Sequence, residues 1–431
     1  MRIAVVGTGY VGLAVSAGLA EFGNDVTTIV DPGGDPERLS RGDIDMVEPG
    51  LGELLRSNVL AGRLAIGTDL EAAVRAASVV IITTELAPTE DGADLAPLFA
   101  LADRIGKVIE DYKVIALKSA VPVGTTDRLA VRIGAHGSVP FGVVHNPSFL
   151  KEGEALDDFM KPDRVVIGTG DPQAAELMRR LYEPFLRSSD RILVVGTRSA
   201  ELAKHAASAL LASRISFMNE VALVAEEVGA DIEDVRAIMG ADPRIGAQAL
   251  FVGPGFGGDH FQRDLAMLLS TARDAGRELG VVEAAWAANE RQKKVLLAKL
   301  DRALGGLHDR TVTLWGLAYK PHTARIGRGP ALDLIDGLLA AGAKVRAHDP
   351  KAMPTASAIY GDRVQFVEDM YDAAAGSDVL VLVTEWYPYR RPDFSRLLEV
   401  MRGRVLLDGR NVWNPGDLRR LGFRYLGIGR P

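Results

Sequence analysis

The stretch that most limits how this chain can fold lies at its start. Residues 3–6 are a short apolar strand, Gly7-Thr8-Gly9-Tyr10-Val11-Gly12 is a glycine-rich turn, and residues 13–21 are an apolar helix. Residues 26–30 form a second strand that ends in Asp31, 19 residues after Gly12. A GxGxxG string alone is also what an ordinary glycine-rich turn looks like. Here strand, loop, helix, strand and acid stand in the order that dinucleotide binding requires. The glycines permit the turn and let a pyrophosphate approach the helix N-terminus, where aligned peptide dipoles favour anions. Asp31 would accept a hydrogen bond from a ribose hydroxyl, and its charge would repel a 2′-phosphate. NAD rather than NADP is the expected cofactor.

The alternation continues. Apolar runs at 64–67, 79–83, 114–119 and 141–144 are separated by helical segments at 50–57, 69–76, 96–109 and 125–132. Strands spaced by helices of this length predict a parallel, doubly wound sheet. Such a sheet binds ligands beyond the carboxyl ends of its strands, where Thr83, Thr84 and residues 119–122 fall. Residues 199–229 read as one long helix, with Leu202, Ala206, Leu210, Phe217, Val221 and Val224 at helical intervals. It can link two domains and carry a dimer interface, or be a core helix. A helix at 232–239, a turn at 242–246 and a second long helix at 264–299 follow. The last third repeats the opening plan: a strand at 311–315, a loop at 316–321, a helix at 330–341 and a strand at 344–347 running into His348-Asp349-Pro350. Further strands are expected at 379–383 and 404–407, and a surface loop at 354–362. The expected fold is α/β, with two doubly wound Rossmann-like domains joined by a long central helix. The boundaries expected are 1–198, 199–300 and 301–431.

At 431 residues the chain is too long for one hydrophobic core. Its 47% hydrophobic and 25% charged residues are ordinary for a soluble protein, and the formal charge of −7 argues against a general nucleic-acid binder. It has no cysteine, which excludes disulfides, thiolate catalysis and cysteine-ligated zinc. The seven histidines are dispersed without HxxxH-type spacing, so no metal site is expected. The first residues read as strand and loop rather than as a leader, and no unbroken apolar run of about 18 residues occurs, so a cytoplasmic location is expected.

Residues 253–264 read GPGFGGDHFQRD. This stretch resembles the active-site loop of the UDP-glucose/GDP-mannose 6-dehydrogenases, whose pattern is GFGG-x-C-F-P-K-D. GTGYVGL, VEPGL, KSAVPVGT, NPSFLKEGEALDDFMKPDRVVIG, GLAYKP, AHDP and DGRN resemble that family's other blocks in the same order, over nearly the whole chain. The resemblance implies that NAD is held by Gly7, Gly9, Tyr10, Val11, Gly12, Asp31, Thr83, Thr84, Ser119, Ala120, Val121 and Glu152. It implies a nucleotide-sugar substrate, a UDP-sugar first, touched by Phe149, Leu150, Lys151, Lys204, Ser208, Arg244, Phe251, Gly255, Phe256, Gly257, His260, Arg263, Tyr319, Lys320 and Arg410. It implies a homodimer, with neither nucleic acid nor membrane as partner.

Alcohol-to-acid oxidation needs a base, a thiol to trap the aldehyde, oxyanion donors and a base for water. Of the family's residues for these tasks, Glu152, Lys204 and Asp264 are kept. Threonine, glutamate, asparagine, cysteine and lysine are replaced by Ala120, Ser148, Ser208, His260 and Arg263. The family's D-D-I-R-E-S-P block reads Ala324-Arg325-Ile326-Gly327-Arg328-Gly329-Pro330 here, so the cofactor and interface contacts of that loop are not carried over from the resemblance. The replacements concentrate on one pocket while the NAD block is whole, so the expectation is hydride transfer without the thioester route. His260 can take the alcohol proton, with Asp264 four residues on and able to orient its ring if the segment is helical. It can instead fill space or hydrogen-bond the substrate. Lys204 can stabilise an alkoxide, and Arg263 can hold an anion bidentately. Other readings are a redox-neutral epimerase, a silent nucleotide-binding homologue and an ordinary acid-forming 6-dehydrogenase.

Overall fold

Arg2–Val6 (β1) is buried at four of its five residues and lies inside a sheet, with Asp25–Ile29 (β2) on one side and Val79–Ile82 (β4) on the other, both parallel to it. The computed structural model describes residues 1–89, 92–186 and 191–430. It divides into two units: Met1–Ala207 with Arg263–Glu278, and Ser208–Gln262 with Leu279 onward.

The first unit is built on an eight-stranded sheet. Leu64–Gly67 (β3) lies outside β2; a two-stranded ladder, Pro88–Thr89 (β5) and Gly92–Ala93 (β6), stands apart; Lys113–Leu117 (β7), Phe141–His145 (β8), Val165–Gly168 (β9) and Ile192–Val195 (β10) complete it in the order β10-β9-β8-β7-β4-β1-β2-β3. All neighbours are parallel except β8 and β9, which run antiparallel, so the last two strands reverse the direction expected of the whole sheet. All four residues of β4 and all five of β7 are buried, as a sheet covered on both faces requires. Lys113 lies among them, its Nζ donating to the Arg75 and Ala77 carbonyls at 2.9 and 2.8 Å.

The second unit carries the predicted repeat. Thr311–Trp315 (β11), Lys344–His348 (β12), Val364–Phe366 (β13), Val379–Leu382 (β14), Val405–Asp408 (β15) and Arg424–Leu426 (β16) form an all-parallel sheet in the order β13-β12-β11-β14-β15-β16. The edge strands β13 and β16 have three residues each, too short to show a period in sequence.

The helix Thr197–Val228 joins the two sheet domains and is continuous over 32 residues. By length and composition it is the one described helix that could cross a membrane, yet Glu201 and His205 lie buried on it. Glu201 accepts from Gly124 N, Thr126 N and Thr126 Oγ1 at 2.6, 2.8 and 2.6 Å. That carboxylate caps the helix Thr125–Gly134, whose own N-cap, Gly124, has no side chain to do so.

Two local expectations fail. The helix expected over 264–299 is three, Asp259–Asp274, Gly280–Gln292 and Val295–Leu304. Gly276, at φ +66°, closes the first of them, with its N–H and that of Arg277 turned back to the Arg273 and Ala272 carbonyls. The surface loop expected at 354–362 contains the helix Met353–Tyr360. Pro354 stands in its first turn, where a missing N–H costs nothing, and Ala356 and Tyr360 are buried.

Candidate active site

The glycine-rich loop sits at the carboxyl end of β1. Gly7 has φ +114°, and a Cβ there would lie 2.8 Å from Thr83 Oγ1 and 2.9 Å from Thr84 N. A Cβ on Gly12 would lie 2.1 Å from the Gly7 carbonyl oxygen. Thr83 Oγ1 donates to the Val6 carbonyl at 2.9 Å, and Ser119 Oγ to the Thr84 carbonyl at 2.8 Å. The ends of β4 and β7 are thereby tied to one another and to the loop. The helix Tyr10–Glu21 begins on Gly9 with no side-chain cap and no acid in its first turn, so no charge of its own first turn opposes an anion at this end. Asp31 is half-buried, and its Oδ2 accepts from Thr8 N at 2.6 Å and Thr8 Oγ1 at 2.8 Å. A cradle that no Cβ can enter, a helix N-terminus with no acid in its first turn and an acid fixed at the next strand end fit a dinucleotide. Gly7, Gly9, Tyr10, Val11, Gly12 and Asp31 would hold it.

Beyond β8 the loop at 146–153 is pinned from a distance. Glu48 accepts from Gly153 N at 2.5 Å and Ala155 N at 3.0 Å, and Tyr10 Oη donates to the Leu150 carbonyl at 3.5 Å. Glu152 is buried there. The Phe149 ring carries the Arg164 guanidinium 3.7 Å from its centre and Lys204 Nζ at 5.5 Å. Lys151 is spent on the surface, on Glu154 and Asp158.

Lys204, His205 and Asp264 form a group in this unit, with His205 and Asp264 buried and Lys204 partly so. Lys204 Nζ lies 3.4 Å from Asp264 Oδ2, and His205 Nδ1 lies 3.2 Å from Asp264 Oδ1. His205 Nε2 faces the Val121 carbonyl at 2.8 Å. Arg263 Nη1 donates to the Leu86 carbonyl at 3.3 Å. The helix Asp259–Asp274 does start early enough to place His260 and Asp264 one turn apart, as expected. Asp264 also meets His205, a residue the sequence offered no reason to choose. Nearby, burial lowers the Lys118 amine to about 7, and its Nζ donates to Asn146 Oδ1 at 3.1 Å. His145 is lowered to about 3 by burial first and then by the charges of His205 and Lys118, so it is neutral beside Thr126 Oγ1 at 3.3 Å.

In the second unit the stretch 253–258 is clamped by three amides. Asn219 accepts from Gly253 N at 2.9 Å, Gln292 donates to the Gly253 carbonyl at 2.8 Å, and Asn289 both accepts from Phe256 N and donates to its carbonyl at 2.8 and 3.0 Å. Gly255, at φ +103°, and Gly258, at φ +86°, make the bends, and a Cβ on Gly258 would lie 2.8 Å from the Tyr319 ring. Gly257 touches Gly329 and the Arg328 carbonyl, so it admits no side chain. Arg328 donates to Gln262 Oε1 at 2.7 Å. His260 is half-buried in the first turn of its helix, and Ser208 is buried. Arg410 reaches the Val383 carbonyl at 2.6 Å, the Tyr319 carbonyl at 3.4 Å and Glu385 at 3.0 Å, which ties the loop that bears Tyr319 and Lys320 to the end of β14. Arg244 and Phe251 are not gathered with these. Arg244 is 87% exposed and paired with Asp242, and Phe251 lies at the surface under the Arg236 guanidinium.

The sequence matches the UDP-glucose/GDP-mannose dehydrogenase family in three stretches: its NAD binding domain over residues 1–186, its central domain over 198–291 and its UDP binding domain over 313–415. It is 43% identical to a UDP-glucose 6-dehydrogenase of Pseudomonas aeruginosa, covering all of this chain and 98% of that one. It is 38% identical to one of Rhizobium meliloti, covering both in full. A UDP-glucose dehydrogenase structure from Pyrobaculum islandicum superposes with a TM-score of 0.92 at 35% identity, over 100% of this chain and 98% of that one. These matches, with the cradle described above, show that the chain is an NAD-dependent enzyme belonging to the UDP-glucose/GDP-mannose dehydrogenase family.

Proposed function

We propose that this enzyme oxidises one hydroxyl of a UDP-linked sugar by a single two-electron step and stops at the carbonyl. One observation carries the reading: the chain has no cysteine, and His260 stands where the resembled pattern has its thiol. Without a thiolate no thioester forms, and the thioester route to a second hydride transfer is closed. UDP-glucose is the first substrate to offer, because the relatives at 43% and 38% identity are named for it. When bound, NAD supplies the hydride acceptor. The hydroxyl hydrogen leaves as a proton, and the His260 imidazole accepts it. The Lys204 ammonium stabilises the developing alkoxide.

The test is product stoichiometry with UDP-glucose and a panel of other nucleotide sugars. One reduced nicotinamide per sugar, with a product two hydrogens lighter, is expected, and His260→Cys should leave that ratio at one. Two per sugar with a uronic acid, an isomerised sugar without reduced nicotinamide, or no turnover across the panel would each reject the proposal.

The same reading includes a homodimer. Leu210, Phe217 and Val224 recur every seven residues on the helix Thr197–Val228 and are 64, 55 and 60% exposed, which supports an apolar stripe meant for a second copy. Sedimentation at micromolar concentration should give a dimer, and Leu210→Lys with Phe217→Lys should give a monomer. A monomeric wild type would exclude it.

A further inference from the structure

His205 is 1% exposed, and both of its ring nitrogens are engaged. Nε2 faces the Val121 carbonyl, which can only accept, so Nε2 carries a hydrogen. Nδ1 faces Asp264 Oδ1 at 3.2 Å, so a second proton lies in that hydrogen bond. The other oxygen of Asp264 faces the Lys204 ammonium at 3.4 Å, which favours the ionised carboxylate and leaves the proton on Nδ1. Val121, His205, Asp264 and Lys204 thus form one unbroken chain of contacts. One end is the loop after β7; the other is the amine.

We propose that His205 is a positioning residue: it anchors Asp264, and through it Lys204, to the cofactor-side loop at Val121. The inference rests on the reading that Lys204 stabilises the developing alkoxide. The charged groups around the ring are Asp264 and Lys204, with Glu201 one turn earlier on the same helix and held by Thr126, and His145 and Lys118 behind it. Among these, His145 is neutral at working pH, because burial holds it at about 3. Without His205, Asp264 loses the hydrogen bond at its Oδ1, its proton affinity rises, and the carboxylate that faces Lys204 is no longer held in place.

His205→Phe keeps a ring and removes both N–H groups. Its kcat should fall about 10- to 100-fold with little change in the KM for the sugar. The acid limb of its kcat profile should move up by about one pH unit. His205→Gln, which keeps one donor, should recover part of the kcat. A fall in kcat with an unmoved acid limb, or equal activity in the two variants, would reduce His205 to a space-filling role and overturn the proposal. A second measurement needs no turnover. In protein labelled with 15N-histidine, the ring signals lost in His205→Gln belong to this residue. They should report hydrogens on both nitrogens near neutral pH in the wild type, and on one in Asp264→Asn. A single N–H in the wild type overturns the proposal, whereas failure to reduce NAD with any sugar overturns the functional reading alone.

Discussion

Gly12→Ala should abolish NAD binding. The new Cβ would stand 2.1 Å from the Gly7 carbonyl oxygen, 2.6 Å from Thr83 Oγ1 and 2.8 Å from the Gly7 carbonyl carbon. Two of these atoms are backbone, and the third is fixed by its bond to the Val6 carbonyl, so nothing can swing aside. The helix Tyr10–Glu21 must instead shift away from the end of β1. That moves the amide groups meant for the pyrophosphate by a distance comparable with a hydrogen bond's tolerance. The Kd for NAD should rise by at least about 100-fold, the scale on which a small displacement of a binding group acts. Overpacking against backbone should also cost about 1–3 kcal/mol of stability. Calorimetric titration with NAD beside a thermal melt separates the two effects. Gly137→Ala, where a Cβ meets nothing within 4 Å, is the matched control and should change neither. An affinity for NAD within threefold of wild type in Gly12→Ala would mean that this loop is not the cofactor cradle.

Lys204→Met should lower kcat by about 100- to 1,000-fold, the usual loss when one charged donor to a developing oxyanion is removed. The methionine fills the same volume along the helix Thr197–Val228, and Phe149 can still cover it. What is removed is the ammonium facing Asp264 and the Phe149 ring. Asp264 is 3% exposed at its side chain, so the loss leaves a buried carboxylate with His205 as its remaining partner in this group. Lys204→Arg should not rescue, because a planar guanidinium cannot take the place of a compact ammonium at a site this enclosed. Steady-state kinetics on protein shown to be folded by circular dichroism checks the outcome. A kcat within threefold of wild type would remove Lys204 from the reaction.

What could be read from the sequence was local. A period of two or 3.6 residues, a glycine where φ must be positive and an acid at a strand end all act over a few residues. On that basis the first sheet, its glycine-rich loop and the repeat in the second unit were legible. The errors were local as well: Gly276 ended a helix whose apolar period ran on past it, and Pro354 opened one where a loop was expected. The strands β9 and β10 reverse direction, which a run of four apolar residues cannot announce. Of the predicted site residues, Gly7 and Gly255 take the positive φ that their loops need, and Arg244 is exposed and paired with Asp242.

Asp31 and Asp349 show where the boundary lies. In sequence they are equivalent, each an acid at the end of the second strand of a strand–loop–helix–strand unit. In the fold, Asp31 stays half-buried and accepts only from Thr8 among the hydrogen bonds described, through one oxygen. Asp349 is fully buried and accepts from the N–H groups of Leu317, Ala318, Lys351 and Ala352 and from Trp386 Nε1. Those five donors use the lone pairs of its two oxygens, so it holds a loop rather than a ribose. His205 belongs with it: its partner Asp264 is 59 residues away, and Val121 is 84 residues away in the other direction. The sequence by itself determined that two nucleotide-binding sheets form, that NAD is the cofactor and that no thiol takes part, because each depends on residue type and short-range spacing. Only the tertiary structure decided which acid stays half-buried and which is enclosed, and what His205 meets, because hydrogen bonds between residues far apart in the chain leave no periodic trace in it.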